Sequence, residues 1–193
     1  MLCKADLRRL LRERSATWSA VEQAQWSAAI RTRCLQLPQV QRARSVFCYI
    51  SLPGAGEPDT HELIRTFLAA GQVVLVPTIP ARGQPMQAVP ITRLEDCAPT
   101  ARSMGIPVPP PEVSPLTADP DIAIIPGVAF TERGERLGRG AGFYDRYLAE
   151  HPGVLTFALA FTAQLVPQLP TEAHDQRVRY ILTPDATLDC CTE

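Results

Sequence analysis

From Arg136 to Leu148 the chain reads Arg-Leu-Gly-Arg-Gly-Ala-Gly-Phe-Tyr-Asp-Arg-Tyr-Leu, its densest concentration of potential chemistry. Gly138, Gly140 and Gly142 alternate with other residues. Glycine lets backbone N–H groups converge on an anion with no Cβ in the way. A helix starting near Gly142 would turn its free N–H groups and positive dipole end toward phosphate. Arg136 and Arg139 can add charge-assisted hydrogen bonds to phosphate oxygens. Asp145 follows closely enough to hold a divalent cation bridging those phosphates. The segment is not a Walker A loop, because no Gly-Lys-Ser/Thr follows. Nor is it a dinucleotide fingerprint, because Phe143 stands where the third glycine belongs. Read from the residues alone, it is a nucleoside triphosphate site or a strand-to-helix turn that binds nothing.

A second candidate lies at the other end of the chain. Among 19 basic residues Lys4 alone is lysine. A compact ammonium suits phosphate as a point charge. Arg8 is four residues on, so on a helix the two cations lie side by side. A solvated basic face gives the same pattern. The three histidines, His61, His151 and His174, form no pattern that supports a histidine base.

Composition narrows the classes. A chain of 193 residues suits one domain with a sizeable core, and 46% hydrophobic with 20% charged residues is ordinary for a globular protein. A net charge of −1 gives no electrostatic case for nucleic acid or membrane surfaces. The cysteines (3, 34, 48, 97, 190 and 191) contain no Cys-x-x-Cys pair, which argues against zinc. No apolar run is long enough to span a bilayer and the N-terminus lacks a signal-peptide core, so a cytoplasmic protein with reduced thiols is expected.

The elements that must position these residues follow from periodicity. Leu7, Leu10 and Leu11 mark a helix from Ala5 to about Arg14. Ser19 and Glu22 form a capping box for a second helix that stops before Pro38. Apolar, β-rich runs predict strands over 45–50, 73–76, 121–125, 155–160 and 180–183, with a further short one around Met86 to Val89. Asp59 is expected to cap a helix, with Glu62 three residues on and Gly71 ending it. A turn around Gly134 precedes the glycine-rich segment. Seven prolines between Pro99 and Pro120 make an extended connector. The alternation predicts an α/β fold, a three-layer α/β/α sandwich around a mostly parallel sheet, in one domain over 1–193 with a proline-rich excursion at about 99–120. Ligands in such sheets sit at the strands' carboxyl ends. The Glu57 turn and the glycine-rich segment both follow apolar strands, so one cleft can hold both.

These residues resemble the 5-formyltetrahydrofolate cyclo-ligase family. Its hallmark, Pro-Gly-x-Ala-Phe, a short turn, then Gly-x-Arg-Leu-Gly-x-Gly-x-Gly-Tyr/Phe-Tyr-Asp-Arg, is similar to Pro126 to Phe130 followed by Gly134 to Arg146. Gln164-Leu165-Val166 with Leu169-Pro170, Glu172 and Asp175, the Lys4 and Arg8 pair, and Glu57-Pro58-Asp59-Thr60 match further parts of the pattern in order. The resemblance implies ATP-dependent ring closure of 5-formyltetrahydrofolate to 5,10-methenyltetrahydrofolate, with Mg2+ as cofactor and ATP as co-substrate. It implies that Lys4, Arg8, Arg136, Leu137, Gly138, Arg139, Gly140, Ala141, Gly142, Phe143 and Tyr144 bind ATP. Ile50, Glu57 and residues 139–143 would bind the folate, Arg139 would stabilise the transferred phosphoryl group, and Asp145 and Asp175 would hold magnesium. The partners implied are small molecules, with no nucleic acid and no membrane, and a monomer is expected. The chain departs from the family at Ala141, where lysine or glycine is common, at Thr131, where aspartate is usual, at Arg179, where an acidic residue is frequent, and in a longer Ser51 to Glu57 turn. The altered Glu57 turn and Ala141 would favour the alternative, a non-catalytic member that binds nucleotide or folate without turnover, and the presence of Lys4, Arg8, Arg139, Asp145 and Asp175 argues against it. A sugar-phosphate isomerase would leave Lys4 and the paired carboxylates unexplained.

Overall fold

The computed structural model describes residues 3–81, 84–101, 103 and 105–191. Helix α1 runs Lys4–Ser15, α2 Ala20–Gln36 and α3 Pro38–Arg42, and strand β1 is Ser45–Cys48. Helix α4, His61–Ala69, leads to β2, Val73–Pro77, and β3, Ala88–Ile91. The proline-rich stretch forms a small ribbon, β4 Ala98–Pro99 against β5 Pro107–Val108. Strand β6, Ile122–Ile125, precedes a hairpin of β7, Ala129–Phe130, and β8, Arg136–Leu137. Helix α5, Phe143–Glu150, is followed by β9, Leu155–Leu159, β10, Tyr180–Leu182, and β11, Thr187–Asp189.

The main sheet has seven strands in the order β11-β10-β9-β6-β1-β2-β3. The five inner strands are parallel; β3 and β11 pair antiparallel at the two edges. Successive side chains on a strand face opposite ways, and here both faces are apolar. Val46, Cys48, Val74, Val76, Ile122 and Ile124 pack with Ile30 of α2 and Leu63, Ile64 and Phe67 of α4. Phe47, Leu75, Ala123 and Ile125 pack with Tyr147 and Leu148 of α5. A parallel sheet covered on both faces reads as continuous apolar runs, which is why these strands were legible. The expected three layers are observed.

Several details differ from expectation. Asp59 stands one residue before the N-cap of α4, although its Oδ1 accepts from His61 N, the first N–H of the helix, at 3.2 Å. Thr60 is the N-cap residue, with its Oγ1 donating to Tyr49 O at 2.7 Å and accepting from Ser51 N. Asp59 also accepts from Ser51 Oγ at 2.9 Å and pairs with His61 Nδ1 at 2.6 Å. Glu62 is drawn to Arg65. Pro38 ends α2 as expected but opens α3 as its first residue, where a missing N–H costs nothing. Strand β3 lies two residues later than the expected strand around Met86 to Val89, because its register is set by β2, with Val74 opposite Ile91. Ser19 does form the capping box, its side chain accepting from Glu22 N while Glu22 accepts from Ser19 N.

Candidate active site

The order of the parallel strands reverses between β1 and β6. Chain leaving β1 goes to β2 on one side, and chain leaving β6 goes to β9 and β10 on the other. Ligands of open α/β sheets bind beyond the strand ends at such a point. Beyond β1 lie Tyr49, Ile50 and the turn carrying Glu57. Beyond β6 lie Pro126-Gly127 and the β7–β8 hairpin, which pairs Phe130 with Arg136 and delivers the glycine-rich segment across the same opening. Gly142 caps α5 at φ +67°, where a Cβ would also lie 2.9 Å from Arg146 Nη1. Glycine is the residue that takes this left-handed turn without strain.

Two cavities flank the glycine-rich segment. One, of about 130 Å³, is walled by Tyr49, Ile50, Glu57, Pro77, Phe143 and Tyr144, with Ile79 and Ile106 closing it from the irregular segments. The other, of about 560 Å³, is polar, with Lys4, Arg8, Glu172, His174 and Asp175 around it. Arg136, Gly138, Gly142 and Asp145 line both. Leu137 and Gly140 line only the polar cavity, while Ala141, Phe143 and Tyr144 line only the apolar one. Arg139 faces the apolar cavity and a neighbouring groove rather than the polar cavity. The sequence could not separate these faces, because alternation along a glycine-rich loop follows no regular period.

The cations of the site all meet protein partners. Lys4 Nζ bonds both Asp175 oxygens at 2.8 and 2.7 Å and reaches Glu172 at 3.2 Å. Burial works to lower the Lys4 pKa, but hydrogen bonds to Asp175 and Glu172 overcome it and raise the value. Burial likewise pushes Asp175 upward, and the Lys4 hydrogen bond and the Glu172 backbone N–H outweigh it and hold the carboxyl low. Arg136 Nη2 donates to Asp145 Oδ1 at 2.6 Å, and Nη1 to Pro126 O at 3.2 Å. That arginine's side chain is only 2% exposed, and its Nε has no hydrogen-bond partner among the described residues. Arg139 Nη2 meets Glu57 Oε2 at 2.8 Å, while Glu57 Oε1 accepts from Leu52 N. Arg8 Nε donates to Gly138 O at 2.7 Å and so ties α1 to the loop. Burial, then the Glu57 charge, pushes the Tyr144 phenol well above its ordinary value, so it stays a neutral hydroxyl.

Carboxylate oxygens suit a hard divalent cation. Asp145 and Asp175 both border the polar cavity. Asp145 Oδ1 is engaged by Arg136 and by Gln176 N. Ligand atoms of Glu172, His174 and Asp175 lie within 4.8 Å of one another. These carboxylate oxygens are of the kind magnesium takes, and Lys4 now occupies both of those on Asp175. The sequence reading had not singled out Tyr49, Ile79, Ile106 or His174 as site residues. Of these only Tyr49 carried a signal, as an aromatic at the end of a buried strand beside Ile50.

A sequence profile of the 5-formyltetrahydrofolate cyclo-ligase family matches residues 2–184. The chain belongs to that family. The mouse 5-formyltetrahydrofolate cyclo-ligase is 30% identical over 95% of this chain and 94% of its own length. The Escherichia coli K12 5-formyltetrahydrofolate cyclo-ligase is 30% identical over 91% of this chain and 97% of its own. The solved structure of Aquifex aeolicus 5,10-methenyltetrahydrofolate synthetase superposes with a TM-score of 0.85 at 24% identity, covering 100% of this chain and 95% of that one. At that identity the likeness shows a shared α/β fold. Family membership makes this cyclo-ligase chain an enzyme of folate chemistry. No helix among the described residues is long and apolar enough to cross a membrane.

Proposed function

We propose that the chain closes 5-formyltetrahydrofolate to 5,10-methenyltetrahydrofolate at the expense of ATP. One observation carries this reading: an apolar cavity and a polar, cation-bearing cavity share the wall formed by Arg136, Gly138, Gly142 and Asp145. Phosphoryl transfer needs two reactants held in line a few ångströms apart, and a shared wall offers that proximity. The folate ring takes the apolar cavity, where Glu57 accepts hydrogen bonds from its amino-pyrimidinone edge. Ile50, Phe143 and Tyr144 pack on the ring. The triphosphate takes the polar cavity, with Lys4 and Arg8 on its oxygens and the backbone of Leu137 to Gly142 beneath it.

The formyl oxygen attacks the γ-phosphorus and ADP leaves. The neighbouring amine nitrogen, which links the pterin's methylene group to the benzoyl ring, then attacks the activated formyl carbon, its proton departs, and the carbon–oxygen bond breaks to release phosphate. Arg139 is half exposed at the boundary of the apolar cavity and swings from Glu57 toward the charge that builds on the phosphoryl oxygens. Asp145 and Asp175 would hold magnesium, which would supply neutralisation of the phosphate charge. Arg136 holds Asp145 in place. The chain works as one domain and as a monomer in the cytoplasm, a setting that fits six free thiols.

The test is purified protein with 5-formyltetrahydrofolate and magnesium-ATP, followed by the near-ultraviolet absorbance of the methenyl product. The proposal requires a rise that depends on both ATP and magnesium. Conversion without ATP, or none with it, would overturn it.

A further inference from the structure

The turn from Ser51 to Glu57 belongs to no helix or strand. A backbone bond from Ala55 N to Leu52 O at 3.1 Å closes it. Gly54 and Gly56 sit at φ +74° and +68°, and a Cβ added to Gly54 would meet nothing within 4 Å. A segment with so few contacts opens easily and does not fix the side chain at its end. Yet Glu57 at that end is well placed: its side chain is only 7% exposed and it borders the apolar cavity.

The anchors lie just beyond Glu57 and come from outside the turn. Tyr49, which follows β1, donates its phenol to Pro58 O at 3.0 Å, with both residues buried. Pro58 has no N–H, so its carbonyl is the one hydrogen-bonding group its own backbone offers. Burial, then the Glu57 charge, pushes the Tyr49 phenol well above its ordinary value, so the donor keeps its proton. One residue on, Asp59 N donates to Ser27 Oγ of α2 at 3.0 Å. Ser27 is buried and borders neither cavity. Thr60 N then donates to Ser51 Oγ at 3.0 Å and ties the two ends of the turn together.

We infer that Tyr49 and Ser27 are positioning residues for the reaction: they set where the Glu57 carboxylate stands, Tyr49 through the Pro58 carbonyl and Ser27 through the Asp59 N–H. The inference rests on the folate reading of Glu57 proposed above. Glu57 holds the amino-pyrimidinone edge, a part of the substrate removed from the reacting formyl group. A carboxylate that wanders from its place is therefore felt in KM for the folate more than in kcat. Neither Tyr49 nor Ser27 borders the polar cavity, so the nucleotide side is untouched.

The experiment measures kcat and KM for 5-formyltetrahydrofolate and for magnesium-ATP in Tyr49→Phe and Ser27→Ala, each with Glu57 intact and with Glu57→Gln. With Glu57 intact, each variant should raise KM for the folate by about three- to ten-fold, the weight of one hydrogen bond. kcat and KM for magnesium-ATP should stay within about two-fold. Glu57→Gln alone should raise KM for the folate by about ten-fold or more, and in that background Tyr49→Phe and Ser27→Ala should add less than two-fold, because what they position is gone. An equal rise in both backgrounds would make Tyr49 a direct contact or a general support of the fold and overturn the inference, as would no rise in either. A Glu57→Gln variant with an unchanged KM would instead sink the folate reading of Glu57, and this inference with it. Ser27→Ala keeps the test decisive if Tyr49→Phe fails to fold, since Ser27 touches neither cavity.

Discussion

Removing the Arg136 guanidinium should be among the most damaging single changes at the site, and the structure gives its size. The side chain is 2% exposed, its partner Asp145 is 14% exposed, and the two meet at 2.6 Å. Arg136→Met fills similar space but leaves the Asp145 carboxylate buried with Gln176 N as its remaining donor. Breaking one side of a buried pair costs about 3–5 kcal/mol. For a chain of this size each 1 kcal/mol moves Tm by about 2–4 °C, so the melt should fall by roughly 6–20 °C. Asp145→Leu strands the arginine instead, which keeps its bond to Pro126 O. The double variant Arg136→Met/Asp145→Leu removes both charges, so it should be more stable than the sum of the single losses predicts, by about 2 kcal/mol or more. Urea denaturation of all four proteins, without magnesium or nucleotide, measures the cycle. A single loss under about 1 kcal/mol, or simple additivity, would show that the pair does not hold the loop to α5.

Three other outcomes are expected. Arg139→Ala should lower kcat by about 100- to 1,000-fold and lower Tm by less than Arg136→Met does, because the guanidinium is half exposed although its partner Glu57 is only 7% exposed; an unchanged kcat removes it from the chemistry. Lys4→Met should raise KM for magnesium-ATP while increasing the affinity for magnesium alone, since Asp175 loses the ammonium that now occupies both its oxygens, and calorimetry that finds weaker magnesium binding would contradict the exchange. Asp59 titrates at about 2, held down chiefly by its hydrogen bond from His61 against the opposing effect of burial. A folded-state value below the ordinary one means stability that is present above about pH 4 and lost as pH falls toward 2. The side chain is 49% exposed, which limits the loss to about 1 kcal/mol. Acid-unfolding curves of wild type and Asp59→Asn that ran parallel between pH 4 and 2 would refute it.

What the sequence made legible follows from what each element depends on. The inner strands are defined by side chains buried on both faces, so Val46 to Cys48 and Ile122 to Ile125 could be found without knowing their neighbours. The edge strand Thr187–Asp189 and the hairpin of Ala129–Phe130 with Arg136–Leu137 are local pairings, Leu182 opposite Thr187 and Phe130 opposite Arg136, but strands of two or three residues are too short to show an alternating pattern. Lys4 and Asp175 were both named from sequence, yet their 2.7 Å contact spans 171 residues and is a property of the fold. The capping pattern was off by one residue because Thr60 is fixed as the N-cap by reciprocal hydrogen bonds with Ser51, in the segment after β1, a contact no local pattern reveals.

The partition between the two cavities has a consequence for how this enzyme can change. At Gly138 and Gly142 it carries no side chain, and the cavities on its two sides belong to different ligands in the reading proposed here. A substitution in this stretch is thus felt by both at once, and neither affinity can be retuned alone. Independent adaptation is confined to residues that face one side only, such as Ile79 or Ile106 for one ligand and Ala5 or Thr171 for the other. Drift should accumulate there, while Arg136, Gly138, Gly142 and Asp145 are held by a pleiotropic constraint.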